Sequence, residues 1–214
     1  MDSWNSAAAR ERPSLMTCAR NISFPPLLIL ASLAVFAVVG LSGCVGGIVA
    51  AVGTAAYQER GVQIVARDMA TATRMRTNLL NAGEDYVMGV GVDVYEGRLM
   101  LTGTLANEAM QAKTISMAWK TEGVKDVINE IQTGNTSLRD MAKDSWITTQ
   151  LHKKIFLDKK IFAINYSVET VNGIIYLIGI AQNQTELDRV LSHAKAISYV
   201  KRIANHVRIK KGAT

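Results

Sequence analysis

The feature that most constrains this chain is an internal duplication. Displacing the sequence by 76 residues lays 68–133 over 144–209 without a gap. Asp68 falls on Asp144, Met75 on Leu151, Leu79 on Ile155 and Val92 on Val168. Further along, Gly97 falls on Gly173, Leu101 on Leu177, Gly103 on Gly179, Asn107 on Asn183 and Asn129 on Asn205. Whatever one copy folds into, the other must fold into as well. Solenoid repeats run to about 20–50 residues. A unit this much longer implies two small domains in tandem.

The second copy states its plan more clearly. "DSWITTQLHKKIFLD" (144–158) aligns Ile147, Leu151 and Ile155 at helical spacing, with Asp144 placed to cap it. "NYSVETVNGIIYLIGIA" then carries two β-rich runs about Asn172-Gly173. Asn-Gly is a strong hairpin signal because both residues of the tight turn need positive φ. "NQTELDRVLSHAKAI" opens on Asn183 with Glu186 three places on, a capping-box pattern. "VKRIANHVRIK" closes the unit as an alternating strand. The order is α-β-β-α-β. The hairpin makes the first two strands antiparallel, and the helical crossover makes the third parallel to the second. Each copy is thus an α+β unit, a three-stranded mixed sheet packed on two helices. The first copy follows more loosely, with a weaker first helix, "ATATRMRTNLLNAG", and Glu96-Gly97 at its hairpin. The polar segment 134–143 reads as the linker.

The N-terminal part reads as a targeting segment. Arg10, Arg12 and Arg20 precede an apolar run, and no charged residue lies between Arg20 and Glu59. Leu27 to Val39 has the length of a signal h-region and is short for a membrane span. It leads to "LSGC", where small residues meet Cys44. This sequence resembles a bacterial lipobox, in which the cysteine is acylated and becomes the first mature residue. Residues 1–43 then form a lipoprotein-type signal peptide, Cys44 is the lipid attachment point, and 44–66 is an apolar tether. An uncleaved signal anchor is the alternative. With Cys44 acylated no partner for a disulfide remains, since the only other cysteine is Cys18. Val45, where an inner-membrane retention signal would place Asp, points to the outer membrane.

"VYEGRLMLTGTLANE" with "TEGVKDVINEI", and "TVNGIIYLIGIAQNQ" with "SYVKRIANHV", resemble two BON domains. The shared pattern is a glycine before the second strand, Leu-x-Gly at its end, then Gly-Val-x-x-Val-x-Asn into the last strand. The second copy departs from it at Ser198-Tyr199, where the first has Glu122-Gly123. The resemblance covers 67–133 and 144–210, most of the mature chain. It implies a non-enzymatic, outer-membrane lipoprotein facing the periplasm and tied to envelope integrity and stress. It also implies that the first helix of the second domain, with Trp146, contacts anionic phospholipid.

Helical geometry is consistent with that expectation. At 100° per residue, Ile147, Leu151 and Ile155 share the core face, while Trp146, Gln150, Lys153, Phe156 and Leu157 share another. An aromatic ring, apolar side chains and lysine together suit a membrane surface. Charge is divided in the same sense. Residues 68–133 hold six Lys and Arg against nine Asp and Glu, whereas 144–214 hold eleven against five. Lys153, Lys154, Lys159 and Lys160 flank the helix. The same face would also suit an adaptor that docks on an envelope protein. An export signal disfavours nucleic acid as the partner of the basic half. No cofactor or metal motif is visible: His152, His193 and His206 lack ligand-spaced partners, and Gly89-Val90-Gly91 lacks a third glycine. Asp93, Glu96 and Glu169 read as solvated carboxylates around the hairpins, and no catalytic constellation emerges.

Overall fold

The computed structural model describes residues 60–212. The signal segment, Cys44 and the tether as far as residue 59 lie outside the described residues.

The first unit runs α1 (Gly61–Ala82), α2 (Glu84–Gly89), β1 (Val90–Tyr95), β2 (Arg98–Leu105), α3 (Glu108–Lys120) and β3 (Asp126–Thr133). The second runs α4 (Leu138–Leu157), a 3₁₀ turn (Ala163–Asn165), β4 (Tyr166–Val171), β5 (Ile174–Ala181), α5 (Gln184–Lys195) and β6 (Arg202–Ile209). Each sheet has the longest-paired strand in the middle, in the orders β1-β2-β3 and β4-β5-β6. The hairpins are antiparallel and the crossovers parallel. Both hairpins close through two residues, Tyr95 facing Arg98 and Val171 facing Ile174. Glu96 and Gly97 have φ of 55° and 79°, and Asn172 and Gly173 have 52° and 79°. These are the left-handed values that a two-residue turn requires.

Both first helices begin earlier than the sequence pattern suggests. Helix α1 starts at Gly61, so residues 61–66 belong to it and not to the tether. Val65 and Asp68 are buried in its early turns, and the Arg60 guanidinium pairs with Asp68 at 2.6 Å. Helix α4 starts at Leu138, capped by the Ser137 side chain, which accepts from the Asp140 amide. The second half of the expected linker is therefore helical. Asp144, expected as a cap, lies inside α4 and is buried. Its two carboxylate oxygens accept the amides of Asn172 and Gly173 at 2.6 and 2.7 Å. Asp68 does the same for Glu96 and Gly97 at 2.8 and 2.9 Å. A tight hairpin turn leaves its own amides without ladder partners, and a buried carboxylate from the helix satisfies them. That function explains why aspartate recurs at the 76-residue offset.

Each sheet packs one face on its own helices. Met75, Leu79, Leu99 and Leu101 centre the first core, and Ile147, Leu151, Ile155, Ile175 and Leu177 the second. The opposite faces of the two sheets pack on each other. Tyr95, Met100, Tyr176, Ile178 and Ala204 are buried there, with Ile128, Val171, Ile174 and Ile180 at the margin. Both faces of β5 are thus covered, which accounts for its unbroken apolar run "IIYLIGIA". Among the described residues, all three cores are built from residues between 72 and 207. These cores thus lie wholly within the portion 60–214.

The inter-sheet contact is built by equivalent residues. Glu130 and His206, one offset apart, meet at 2.8 Å. Met100 and Tyr176, likewise one offset apart, share the central cluster. Strand β2 neighbours β4, and reciprocally β5 neighbours β1. This reciprocity is the mark of a pseudo-two-fold arrangement, in which residues near the axis face their own counterparts. Arg98 to the His206 carbonyl (2.8 Å), Ser167 to Asp93 (2.6 Å) and Gln132 to the Tyr176 hydroxyl (3.0 Å) complete it. Glu169 is correspondingly not a solvated hairpin carboxylate. Burial, and next the nearby charge of Asp93, push its carboxyl up to about 7, with Arg76 opposing.

Asn129 and Asn205 lie on exposed positions of the edge strands β3 and β6. Their side-chain oxygens accept the amides two residues on, from Ile131 and Val207. They satisfy backbone groups of their own strands.

Candidate membrane-facing surface of the second domain

Helix α4 buries Asp144, Ile147, Leu151 and Ile155 and turns its opposite side outward. Trp146 is 44% exposed, Phe156 79% and Leu157 65%, while Lys153 is exposed and Gln150 half-buried. The five residues singled out from the sequence do not form one uniform patch. Lys153 and Phe156 line an apolar groove of about 760 Å³, whose floor is Ile161, Ile164 and Tyr166. Trp146 lies away from that groove, edge-on to Tyr199, with ring centroids 6.0 Å apart and planes at 70°. The early start of α4 adds basic charge to the Trp146 stripe. Arg139 and Lys143 fall seven and three residues before Trp146, on the line that continues through Gln150, Lys153 and Leu157. Lys143 also pairs with Asp140 at 3.8 Å, an exposed contact of little energetic weight.

The segment after α4 is fastened firmly to α5. The Asp158 carboxylate accepts from Arg189 at 2.6 Å, from the Lys160 amide at 3.0 Å, and bonds His193 at 2.8 Å. His193, then the Lys160 amide and Arg189, hold this carboxyl well below the usual carboxylate range. Glu186, expected to complete a capping box on Asn183, does something else. Asn183 accepts the Glu186 amide as predicted, but the buried Glu186 carboxylate accepts from the amides of Gln182 and Phe162. That bond fixes the loop and leaves the Phe162 ring 57% exposed. Burial, with Glu186 next to it, raises the Tyr166 phenol far above its ordinary value. Tyr166 is therefore a neutral part of the groove floor.

Sequence reasoning missed Phe162, the groove floor and Tyr199. Phe162 carried no signal, since only the fold shows which loop amide Glu186 reaches. Tyr199 did carry one. It occupies the position of Gly123 and keeps a φ of 70°, where Gly123 has 93°. A bulky residue in that region is uncommon and costs on the order of 1–3 kcal/mol. It persists when the surrounding structure holds it, and it is 69% exposed.

Among the described residues, no three His, Cys, Asp or Glu side chains are grouped to hold a metal ion. Among them also, no helix is long and apolar enough to cross a membrane.

These elements define a duplicated α-β-β-α-β protein with one basic, aromatic helix surface. The BON domain model matches residues 67–135 and 143–211. The chain belongs to the BON-domain family, and its two units are two such domains. It is similar to an uncharacterised protein in the gshII 5′ region of Anaplasma centrale, with 38% identity over 56% of this chain and 82% of that one. It is similar to the outer membrane lipoprotein DolP of Haemophilus influenzae, with 33% identity over 51% of this chain and 56% of that one. It also resembles a 21 kDa hemolysin of Actinobacillus pleuropneumoniae, at 29% identity over 52% and 62% of the two chains. The match thus spans little more than half of the last two relatives.

Proposed function

We propose that this BON-domain protein is an envelope protein, acylated at Cys44 in the outer membrane and facing the periplasm. Its second domain binds anionic phospholipid and so supports envelope integrity, without catalysis. The observation that carries this reading is the outer stripe of α4, where exposed Trp146 and Leu157 alternate with Arg139, Lys143 and Lys153. Phe156 and Phe162 add apolar surface beside Lys159 and Lys160. A soluble domain has little reason to expose such rings together, and an interfacial helix needs them. Each basic side chain near an anionic surface contributes about 1 kcal/mol, screened by salt. Two or more acyl chains anchor a protein stably, and a second membrane contact through the helix sets the orientation of the domain. The similarity to an outer membrane lipoprotein and the lipobox-like LSGC sequence support the location.

The test is co-sedimentation of residues 60–214 with vesicles containing phosphatidylglycerol and with vesicles of phosphatidylcholine alone. Salt-sensitive binding to the first only is expected, with a blue-shifted tryptophan emission. Trp146→Ala should weaken binding by about tenfold and abolish the shift. Absence of binding to either vesicle, with capture of an envelope protein through Trp146, would replace this reading by the adaptor one.

A further inference from the structure

Tyr199 sits at a corner between α5 and β6 that the duplicated design assigns to glycine. In the first domain the same corner is closed. A Cβ on Gly123 would lie 2.1 Å from the Thr71 hydroxyl, and Thr71 itself donates to the Glu122 carbonyl. In the second domain the equivalent of Thr71 is Ile147, an apolar side chain buried in the core. The corner is left free to hold a large side chain, at the cost of a left-handed backbone. The tyrosine buries little of itself: 69% of it remains exposed, and its ring contact is the edge of Trp146. A strained residue that contributes little to the interior points to a task outside it.

We propose that Tyr199 is a second membrane-contacting residue, so that the second BON domain meets an anionic bilayer through two elements, helix α4 and the α5–β6 corner. This rests on the lipid-binding reading above. Two rings in an edge-to-face pair form an amphipathic wedge, apolar in body with the Tyr hydroxyl and indole N–H available to headgroups. The charge beside the wedge is positive: Arg139, Lys143 and Lys153 share the Trp146 stripe. That charge selects an anionic lipid surface as the occupant. Contact through a helix alone would leave the domain free to roll about the helix axis. A second contact, made by Tyr199 beside Trp146, fixes the roll, and with it which side of the domain faces the periplasm.

Two variants of residues 60–214 test this, Tyr199→Gly and Tyr199→Asn. Both residues accept a left-handed backbone, so both should keep a thermal midpoint equal to or above that of the unaltered protein. Both should nevertheless bind phosphatidylglycerol vesicles about fivefold more weakly, while Tyr199→Trp retains binding. No cysteine lies within 60–214, so Tyr199→Cys can carry a polarity-sensitive fluorophore. Its emission should shift to the blue on adding these vesicles. Unchanged binding by the Gly and Asn variants, or a label that stays in water while Trp146→Ala weakens binding, overturns the proposal and leaves the α4 reading intact. Failure of the unaltered protein to bind vesicles overturns both.

Discussion

The two domains share a backbone plan and differ in what they show to solvent. Each fastens its hairpin with a buried aspartate from its first helix, each caps its crossover helix (α3 or α5) with an asparagine, and each packs the same sheet face on its helices. The first domain is acidic, and its corner is sealed by Gly123 against Thr71. The second is basic, opens that corner with Tyr199, and uses Glu186 to hold Phe162 outward where the first domain has Met110. Duplication followed by divergence has therefore preserved the hairpin anchor and the helix cap and altered much of the surface. Loss of the preserved hairpin anchor would leave the buried amides of Gly97 and Gly173 unsatisfied. Surface positions carry no such penalty and are free to specialise.

That contrast can be broken first at the shared aspartates. Asp144→Ala and Asp68→Ala each remove two charge-assisted bonds to buried turn amides, and each should cost about 3 kcal/mol in urea unfolding. The Asp68 variant should lose somewhat more, because Arg60 is left without its carboxylate. A neutral effect at either site would deny that the anchor is common to both halves. A smaller effect separates the surfaces. Trp119, on α3 of the acidic domain, is 56% exposed, more than Trp146. If exposure alone drove lipid binding, Trp119→Ala would weaken vesicle binding as Trp146→Ala does. The expected result is no change, against about 1.4 kcal/mol for Trp146.

A pH-dependent effect lies where the halves meet. Glu169, with its folded value raised to about 7 from an ordinary 4.5, makes stability depend on pH. Below about 4.5 the folded and unfolded chains both hold the proton, and the site costs nothing. Between the two values only the folded chain holds it, so stability falls as pH rises. Above about 7 the carboxylate is ionised beside Asp93 and the penalty is complete. Glu169→Gln should therefore raise the thermal midpoint at about pH 8 and leave it unchanged at about pH 4. An equal shift at both pH values would show that the side chain is solvated after all.

Much of this was legible in the sequence because it repeats. The hairpins, the parallel closing strands and the core stripes of both copies follow from turn chemistry and periodicity, signals that act over a few residues. The limits of the first helices were less legible. Pattern placed the start of α4 at Asp144, but that aspartate faces inward to a hairpin 28 residues away, and the cap is Ser137. Cap chemistry is the same for Asp and Ser, so spacing alone cannot tell a cap from a tertiary anchor. Of the five α4 residues singled out, the helix does turn all but half-buried Gln150 well outward. It does not place Trp146 in the groove with Phe156, because the groove is made by a loop whose position depends on Glu186 and Asp158.

By itself the sequence determined the fold of each half, since hydrophobic period and turn residues act locally and occur twice. Only the tertiary structure decided how the halves meet, sheet on sheet about a pseudo-two-fold axis, with Glu130 on His206 and Met100 clustered with Tyr176. Which face of a strand is buried can be read from alternation. When both faces are buried alternation vanishes, and the partner of the second face is set by shape and by long-range hydrogen bonds that no local pattern records.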